Sequence, residues 1–231
     1  MNKITIAIDG FSSTGKSTVA KQLAKHLGYV YVDTGAMYRA VTFYAMENAL
    51  INDNRFNVKG LVSQLPNIEI SFKFSEVAGY AEVYLNGVNV EKKIRTLEVS
   101  GFVSKVAAIS EVRQKLVDQQ QEMGKSKGVV MDGRDIGTVV FPKADLKLFM
   151  IASAETRAKR RYDELTNRGD DIKYEDVLKN VQERDYLDSN REDSPLVKAK
   201  DAIEIDNSNM TPTEQFDKIL SLVNMTLESL E

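Results

Sequence analysis

Eight residues, Gly10-Phe11-Ser12-Ser13-Thr14-Gly15-Lys16-Ser17, carry the spacing G-x-x-x-x-G-K-[ST] of a phosphate-binding loop. The two glycines let the backbone take conformations closed to a residue with a Cβ, so successive N–H groups can converge on one set of phosphate oxygens. Lys16 would supply a point charge to the β and γ phosphates of a nucleoside triphosphate, and the Ser17 hydroxyl a ligand for Mg²⁺. Thr18 follows on the same turn and is counted with Gly10 to Ser17 among the expected ATP-binding residues. The bland reading of the same stretch is a polar surface turn that happens to end in a lysine.

A second group follows the apolar run Val129-Val130-Met131: Asp132-Gly133-Arg134-Asp135-Ile136-Gly137. A carboxylate there can orient Mg²⁺ through water, and an arginine can fork a phosphate. A polar turn whose aspartates cap a helix is the alternative. Arg157, Arg160 and Arg161 fall at i, i+3 and i+4 on one helix face, and no acid is expected at matching spacing to neutralise them. Such a face suits an arm that folds over phosphates, or simply solubility. A third group, Asp33-Thr34-Gly35-Ala36-Met37-Tyr38-Arg39, ends a short strand at Tyr29–Val32, the end at which α/β folds place ligand-binding groups. Arg39 by itself reads equally as a solvated helix arginine.

The elements that must position these groups alternate in type. Ile4-Thr5-Ile6-Ala7-Ile8 reads as a buried strand before the phosphate loop; Val19, Leu23 and Leu27 recur at helical spacing after it, up to Gly28. A helix N-terminus behind the loop adds its dipole and its free N–H groups to an anion site. A helix is expected over 36–49, then a change to period two at Ile68, Ile70, Phe72 and Phe74, with Val83 and Leu85 leading into the hairpin signal Asn86-Gly87. Helices over 97–109 and 111–123, capped by Thr96 and Ser110, bring the chain back to the strand before Asp132. Leu146 to Ile151 is a further strand, Ser153 caps the arginine helix, and Arg168-Gly169 ends it. A helix over 174–185 should lead into a charged turn carrying Arg184, Asp188 and Arg191. The chain closes with a strand at 202–206 and a helix that Thr211-Pro212-Thr213-Glu214 opens with a capping box, its apolar face serving structure alone.

Composition narrows the chemistry further. The 231 residues are 28% charged and 42% apolar, as in an ordinary globular protein. There is no cysteine and one histidine, His26, read as a solvated helix-end residue, so thiolate metal sites, disulfides and histidine-based triads are excluded. A net charge of −3 argues against nucleic acid as a partner. No leader and no long apolar run are apparent, so no membrane association and a cytoplasmic location are expected; no exposed apolar stripe suggests assembly, so a monomer is expected. A guanine-reading N-K-x-D element is missing, since the single Asn-Lys, Asn2-Lys3, continues as Ile4-Thr5; this lowers the case for a regulatory GTPase.

Over nearly its full length the chain resembles the bacterial cytidylate (CMP/dCMP) kinases. The resemblance rests on Ile8-Asp9-Gly10 with Gly15-Lys16-Ser17, on Asp33 to Arg39, on Ser104-Lys105-Val106-Ala107 with Arg113, on Asp132 through Pro142, on Arg184-Asp185 with Asp188 and Arg191, and on Pro195-Leu196. It implies an α/β fold of the P-loop nucleoside monophosphate kinase type: a parallel sheet flanked by helices, with a small antiparallel β insert and a helical lid. The implied layout is one kinase domain over 1–231, an inserted monophosphate-binding lobe over 36–105 that includes a meander at 68–90, and an arginine-rich lid over 154–170. Implied too is a reaction in which ATP with Mg²⁺ phosphorylates CMP or dCMP; a kinase for UMP or dTMP is the alternative. By resemblance, Lys16, Asp132, Arg134 and Arg191 would be catalytic, and Ser17 would hold Mg²⁺ with Asp132 acting through water. Arg157 and Arg161 would cover the ATP phosphates. Arg39, Arg134 and Arg191 would grip the acceptor phosphate, alongside Thr34 and Gly35. Ser104, Arg113 and Asp135 would read the cytosine edge, and Asp188 with Arg184 the ribose.

Overall fold

A computed structural model describes residues 3–230; Asn2 of the Asn-Lys pair lies outside them. In chain order the elements are β1 (Thr5–Gly10), α1 (Lys16–Leu27), β2 (Val30–Asp33), α2 (Thr34–Glu47), β3 (Ile51–Asn52), β4 (Arg55–Phe56) and α3 (Val58–Gln64). Then come β5 (Ile70–Ser75), β6 (Tyr80–Leu85), β7 (Val88–Asn89), α4 (Leu97–Ala107) and α5 (Ser110–Gly124). The remainder is β8 (Val129–Gly133), β9 (Leu146–Ile151), α6 (Ala154–Asn167), α7 (Tyr174–Asn190), β10 (Ile203–Asp206) and α8 (Pro212–Glu228). The chain divides into two compact units: the second, Asp33–Gln120, is inserted between the stretches up to Val32 and from Gln121 that make the first.

The first unit is built on a five-stranded sheet in the order β10-β9-β1-β8-β2. β1 is parallel to β8 on one side and to β9 on the other, and β10 is parallel to β9. Every residue of β1 is buried, so both the face of the alternating isoleucines and the face of Thr5, Ala7 and Asp9 are covered, as in a central parallel strand. Ile4, Ile6 and Ile8 pack with Val19, Leu23, Leu148, Ile205, Ile219 and Val223 in one apolar cluster, so α1 and α8 cover the same region of the sheet. The capping box at Thr211 and Glu214 forms as expected, and Phe216 and Leu220 lie half-buried against this cluster. His26 is exposed and meets the edge of the Phe216 ring at 6.0 Å. Successive strands leave β1 in opposite directions across the sheet, and at such a switch point the carboxyl ends of the strands open a crevice.

The second unit pairs α2 with α4 and carries two small antiparallel sheets, β3-β4 and β5-β6-β7. The hairpin at Asn86-Gly87 is present, with both residues at positive φ (49° and 80°) as a two-residue turn of this twist demands. Phe74, expected on the inward face of its strand, is instead 71% exposed, because the apolar alternation outlasts the covered part of the sheet. α2 begins at Thr34, two residues earlier than its periodicity suggests: Asp33 caps it by accepting from the Ala36 N–H at 2.8 Å. Thr34 and Gly35 therefore sit in a first helical turn and not in a strand-end loop. A second difference lies in the first unit. α7 runs on to Asn190, so Arg184 and Asp188 stand on its last turns, not in a charged turn; charges all round hide an apolar face of Val177 and Val181, both buried. Among the described residues, no helix is long and apolar enough to cross a membrane.

Candidate active site

The phosphate loop starts where β1 leaves the sheet. Gly10 has φ 144°, and a Cβ there would lie 2.1 Å from the Met150 carbonyl oxygen of β9, so glycine alone fits the approach of the two backbones. Ser13 and Gly15 take left-handed conformations with φ 60° and 87°. Gly15 stands at the N-cap of α1 without a side-chain cap, and the first turn holds no acid, which leaves the positive end of the helix for a ligand. The Thr14 hydroxyl and the Lys16 ammonium both donate to the Phe11 carbonyl, at 3.0 and 2.7 Å.

Asp132 lies beside this loop because β8 pairs with β1 in the register Ile8↔Asp132. Its carboxylate is 4% exposed and uses both oxygens: Oδ2 accepts from Ser17 Oγ at 2.9 Å and Oδ1 from the Tyr31 phenol at 2.8 Å. A hydroxyl and a carboxylate held together are hard oxygen donors of the kind Mg²⁺ takes. Among the described residues no group of three or more acids or histidines could hold a metal alone, so the pair fits an ion that arrives with phosphates and keeps part of its water.

Around the loop the cations crowd one another. Burial first, and then the neighbouring Arg134, lower the Lys16 pKa to about 7. Burial and the same Arg134 lower that of Arg184 to about 10. Arg134 donates from Nε to Asp188 Oδ2 at 2.8 Å. Burial alone would raise the Asp188 pKa, but Arg134 and Arg184 hold it below the usual carboxylate range. Arg191 caps the end of α7 and donates from Nε to the Ser194 carbonyl at 2.7 Å; its Nη2 is 4.0 Å from Asp135 Oδ1. Buried like charges are costly unless an anion joins them, so the cluster has the electrostatics of a phosphate site. Asp9, at the other end of this group, accepts from the Ile136 and Gly137 N–H groups at 2.8 and 2.7 Å and fixes the turn that follows Asp135.

The arginines of α6 are more committed than their spacing suggests. The expectation that no acid shares their face is wrong for Arg161: Glu164, at i+3, pairs with it at 2.8 Å. Arg157 forks Asp185 of α7 at 2.9 and 2.6 Å, donates to the Ser12 carbonyl at 3.3 Å and lies 5.1 Å from the Phe11 ring. Arg160 donates to the side-chain and main-chain oxygens of Asn207 at 3.1 and 2.8 Å. Asn207 is fully buried and in turn donates to the Thr14 carbonyl at 2.6 Å and to Gln215 Oε1. β10, α6 and α8 are thus tied to the phosphate loop, and α8 is more than the structural helix expected of it. Beside the loop a cavity of about 410 Å³ is lined by Thr14, Gly15, Thr18, Arg160 and Gln215 among others.

The remaining sequence-derived site residues belong to the second unit. Arg39 is buried on α2 and donates to the Ile94 carbonyl at 3.3 Å. Ser104 is buried on α4; Arg113 is buried, donates to the Ala107 carbonyl at 3.3 Å and stands 5.7 Å from the Tyr38 ring. Asp33, the cap that sets Thr34 and Gly35, is itself held by Arg95 at 2.7 Å, and Arg95 also binds Glu91 at 2.8 Å.

Sequence reasoning missed Tyr31, Asn207 and Gln215, and it named Asp185 beside Arg184 without a role. Asn207 had a signal, since it follows the carboxyl end of a strand; the others meet the site through contacts that no local spacing encodes.

A parallel sheet with a phosphate loop at its switch point, a hydroxyl–carboxylate pair beside it and buried arginines behind defines an α/β phosphotransferase of the P-loop class. Residues 6–225 match the family model described as cytidylate kinase. Cytidylate kinases of Flavobacterium johnsoniae and Flavobacterium psychrophilum are 69% and 66% identical to the chain over 97% of it, covering 97% and 99% of their own lengths. That of Bacteroides fragilis is 56% identical over 96% of each chain. The chain belongs to the cytidylate kinase family.

Proposed function

We propose that the chain transfers the γ-phosphoryl group of ATP to CMP or dCMP, giving ADP and CDP or dCDP. The observation that carries this reading, beside family membership, is the gathering of Lys16, Arg134 and Arg184 next to the phosphate loop, where burial and the Arg134 guanidinium lower the pKa of both Lys16 and Arg184. An α-phosphate oxygen of the acceptor attacks the γ-phosphorus in line; that P–O bond forms as the bond to the β-bridging oxygen breaks, and the electron pair leaves with ADP. The attacking oxygen is already anionic, so no general base is required. Catalysis is then positioning and neutralisation of charge.

Lys16 follows the charge of the γ-phosphoryl group as it moves, and the loop N–H groups with the α1 N-terminus hold the phosphates it leaves. Mg²⁺, when bound, neutralises the β and γ oxygens; Ser17 would ligate it and Asp132 would hold it through water. Arg39, Arg134 and Arg191 grip the acceptor phosphate with planar forks that lysine lacks, with Thr34 and Gly35 alongside. Ser104, Arg113 and Asp135 read the base, and Asp188 with Arg184 the ribose. A carboxylate that accepts from the cytosine 4-amino group meets a carbonyl in uracil, which favours C over U. The cavity beside Thr18 and Gln215 is offered to the base of ATP, and Arg157 and Arg161, on a lid over 154–170, to its phosphates. In this reading the monophosphate-binding lobe is inserted over 36–105 of one kinase domain, and the enzyme works as a cytoplasmic monomer.

Coupled assays of ADP release with CMP, dCMP, UMP and dTMP test the assignment. CMP and dCMP are expected to turn over at least ten times faster than the others; equal or faster turnover of UMP would favour the alternative acceptor and remove the base-reading role of Asp135.

A further inference from the structure

Asp132 does not stand in the site unaided. Its two oxygens have different partners: Oδ2 accepts a hydrogen bond from the Ser17 hydroxyl, and Oδ1 accepts one from the phenol of Tyr31, on the neighbouring strand β2. The phenol reaches Asp132 because β2 lies next to β8 in the sheet, and Tyr31 is partly buried, with the Lys21 ammonium 5.7 Å from its ring centroid. A carboxylate bonded through one oxygen can turn about its terminal torsion, whose wells are broad. One bonded through both oxygens is fixed in plane and direction.

That constraint bears on the cation. A serine hydroxyl that donates its hydrogen bond to a carboxylate keeps its lone pairs free and more basic, the arrangement in which an outer partner orients a metal ligand. We infer that Tyr31 is a positioning residue for the divalent cation of the reaction: its phenol pins Asp132 so that Asp132 in turn orients Ser17 toward the ion that arrives with the triphosphate. The inference rests on the assignment of Ser17 and Asp132 to Mg²⁺, and the test separates the two. Tyr31 touches neither nucleotide nor metal in this scheme and acts through Asp132 alone.

The test compares Tyr31→Phe and Asp132→Asn with the unaltered chain, reading ATP binding by titration calorimetry with Mg²⁺ and with chelator, and binding of Mn²⁺ in the presence of ATP by electron paramagnetic resonance. Loss of an outer-shell partner commonly costs 10- to 100-fold in metal affinity. For Tyr31→Phe the expected result is Mn²⁺ affinity and Mg²⁺-dependent ATP affinity weakened by about tenfold, with metal-free ATP affinity unchanged and the half-saturating Mg²⁺ concentration of the reaction raised in step. Tyr31→His, which retains a donor, is expected to recover part of the loss. Unchanged metal affinity in Tyr31→Phe overturns the inference, as does an equal loss of metal-free ATP binding, which would mark a purely structural role. If Asp132→Asn also leaves the metal affinity intact, the assignment of the cation to Asp132 fails, and the inference with it.

Discussion

Lys16 concentrates the electrostatics of the site in one group. Buried and faced by Arg134, it has a pKa lowered to about 7, while a triphosphate beside it favours its charged form. ATP binding should therefore take up a proton, close to one per ATP at about pH 8 and close to none at about pH 6. Calorimetry in buffers of different ionisation enthalpy reads this uptake directly, and a Lys16→Met chain should show none of it. The role of Lys16 is legible from its neighbours in sequence, since the loop spacing alone puts a cation there. Its altered acidity is not, because it comes from burial and from Arg134, just after β8, and Arg184, on α7, both far along the chain. The same holds for Asn207, whose amide meets the Thr14 carbonyl across almost the whole chain, and for Tyr31, which as a strand residue looks like any other β-former.

Among the elements, those with local markers were legible: the run of β1, the capping box of α8, the Asn86-Gly87 turn. Where a helix carries charge on all sides, as α7 does, the period of 3.6 is masked and its end is misplaced, which moved Arg184 and Asp188 off the helix that positions them. The small hairpin of β3 and β4 escaped notice because two-residue strands have no period to show. Gly10 shows how tightly one element constrains another. With β9 backbone 2.1 Å from where a Cβ would stand, and with φ at 144°, Gly10→Ala must displace either β9 or the loop. The expected cost is at least ~2 kcal/mol, read as a lowered urea midpoint at constant m-value, together with weakened ATP binding. A chain that tolerates alanine here would show that β9 can give way.

For the whole molecule, the pH dependence of stability follows from buried groups rather than from the net charge of −3. Burial raises the Asp9 pKa from 3.8 to about 7, against the opposing bonds from Gly137 and Ile136. Between about pH 4 and 7 the folded chain keeps this proton and the unfolded chain does not, so this contribution to stability falls as the pH rises through that window. Lys16 acts in the opposite direction above neutrality: from about 7 to 10.5 the unfolded chain holds a proton the folded chain has lost, and stability gains as the pH rises. Urea unfolding at pH 5 and pH 7 should show the first slope, and Asp9→Asn should flatten it.

The central place of β1 also sets a timetable for biosynthesis. Its hydrogen-bonding neighbours β8 and β9 are translated only after the entire inserted unit, so the ribosome releases an unpaired strand with a row of apolar side chains long before either partner exists. Non-local pairing of this sort slows folding and leaves sticky edges exposed. The phosphate loop must wait for Asn207, 193 residues further along the chain, before its backbone is held at Thr14, so nascent chains should gain ATP affinity abruptly once Asn207 is made instead of in proportion to their length.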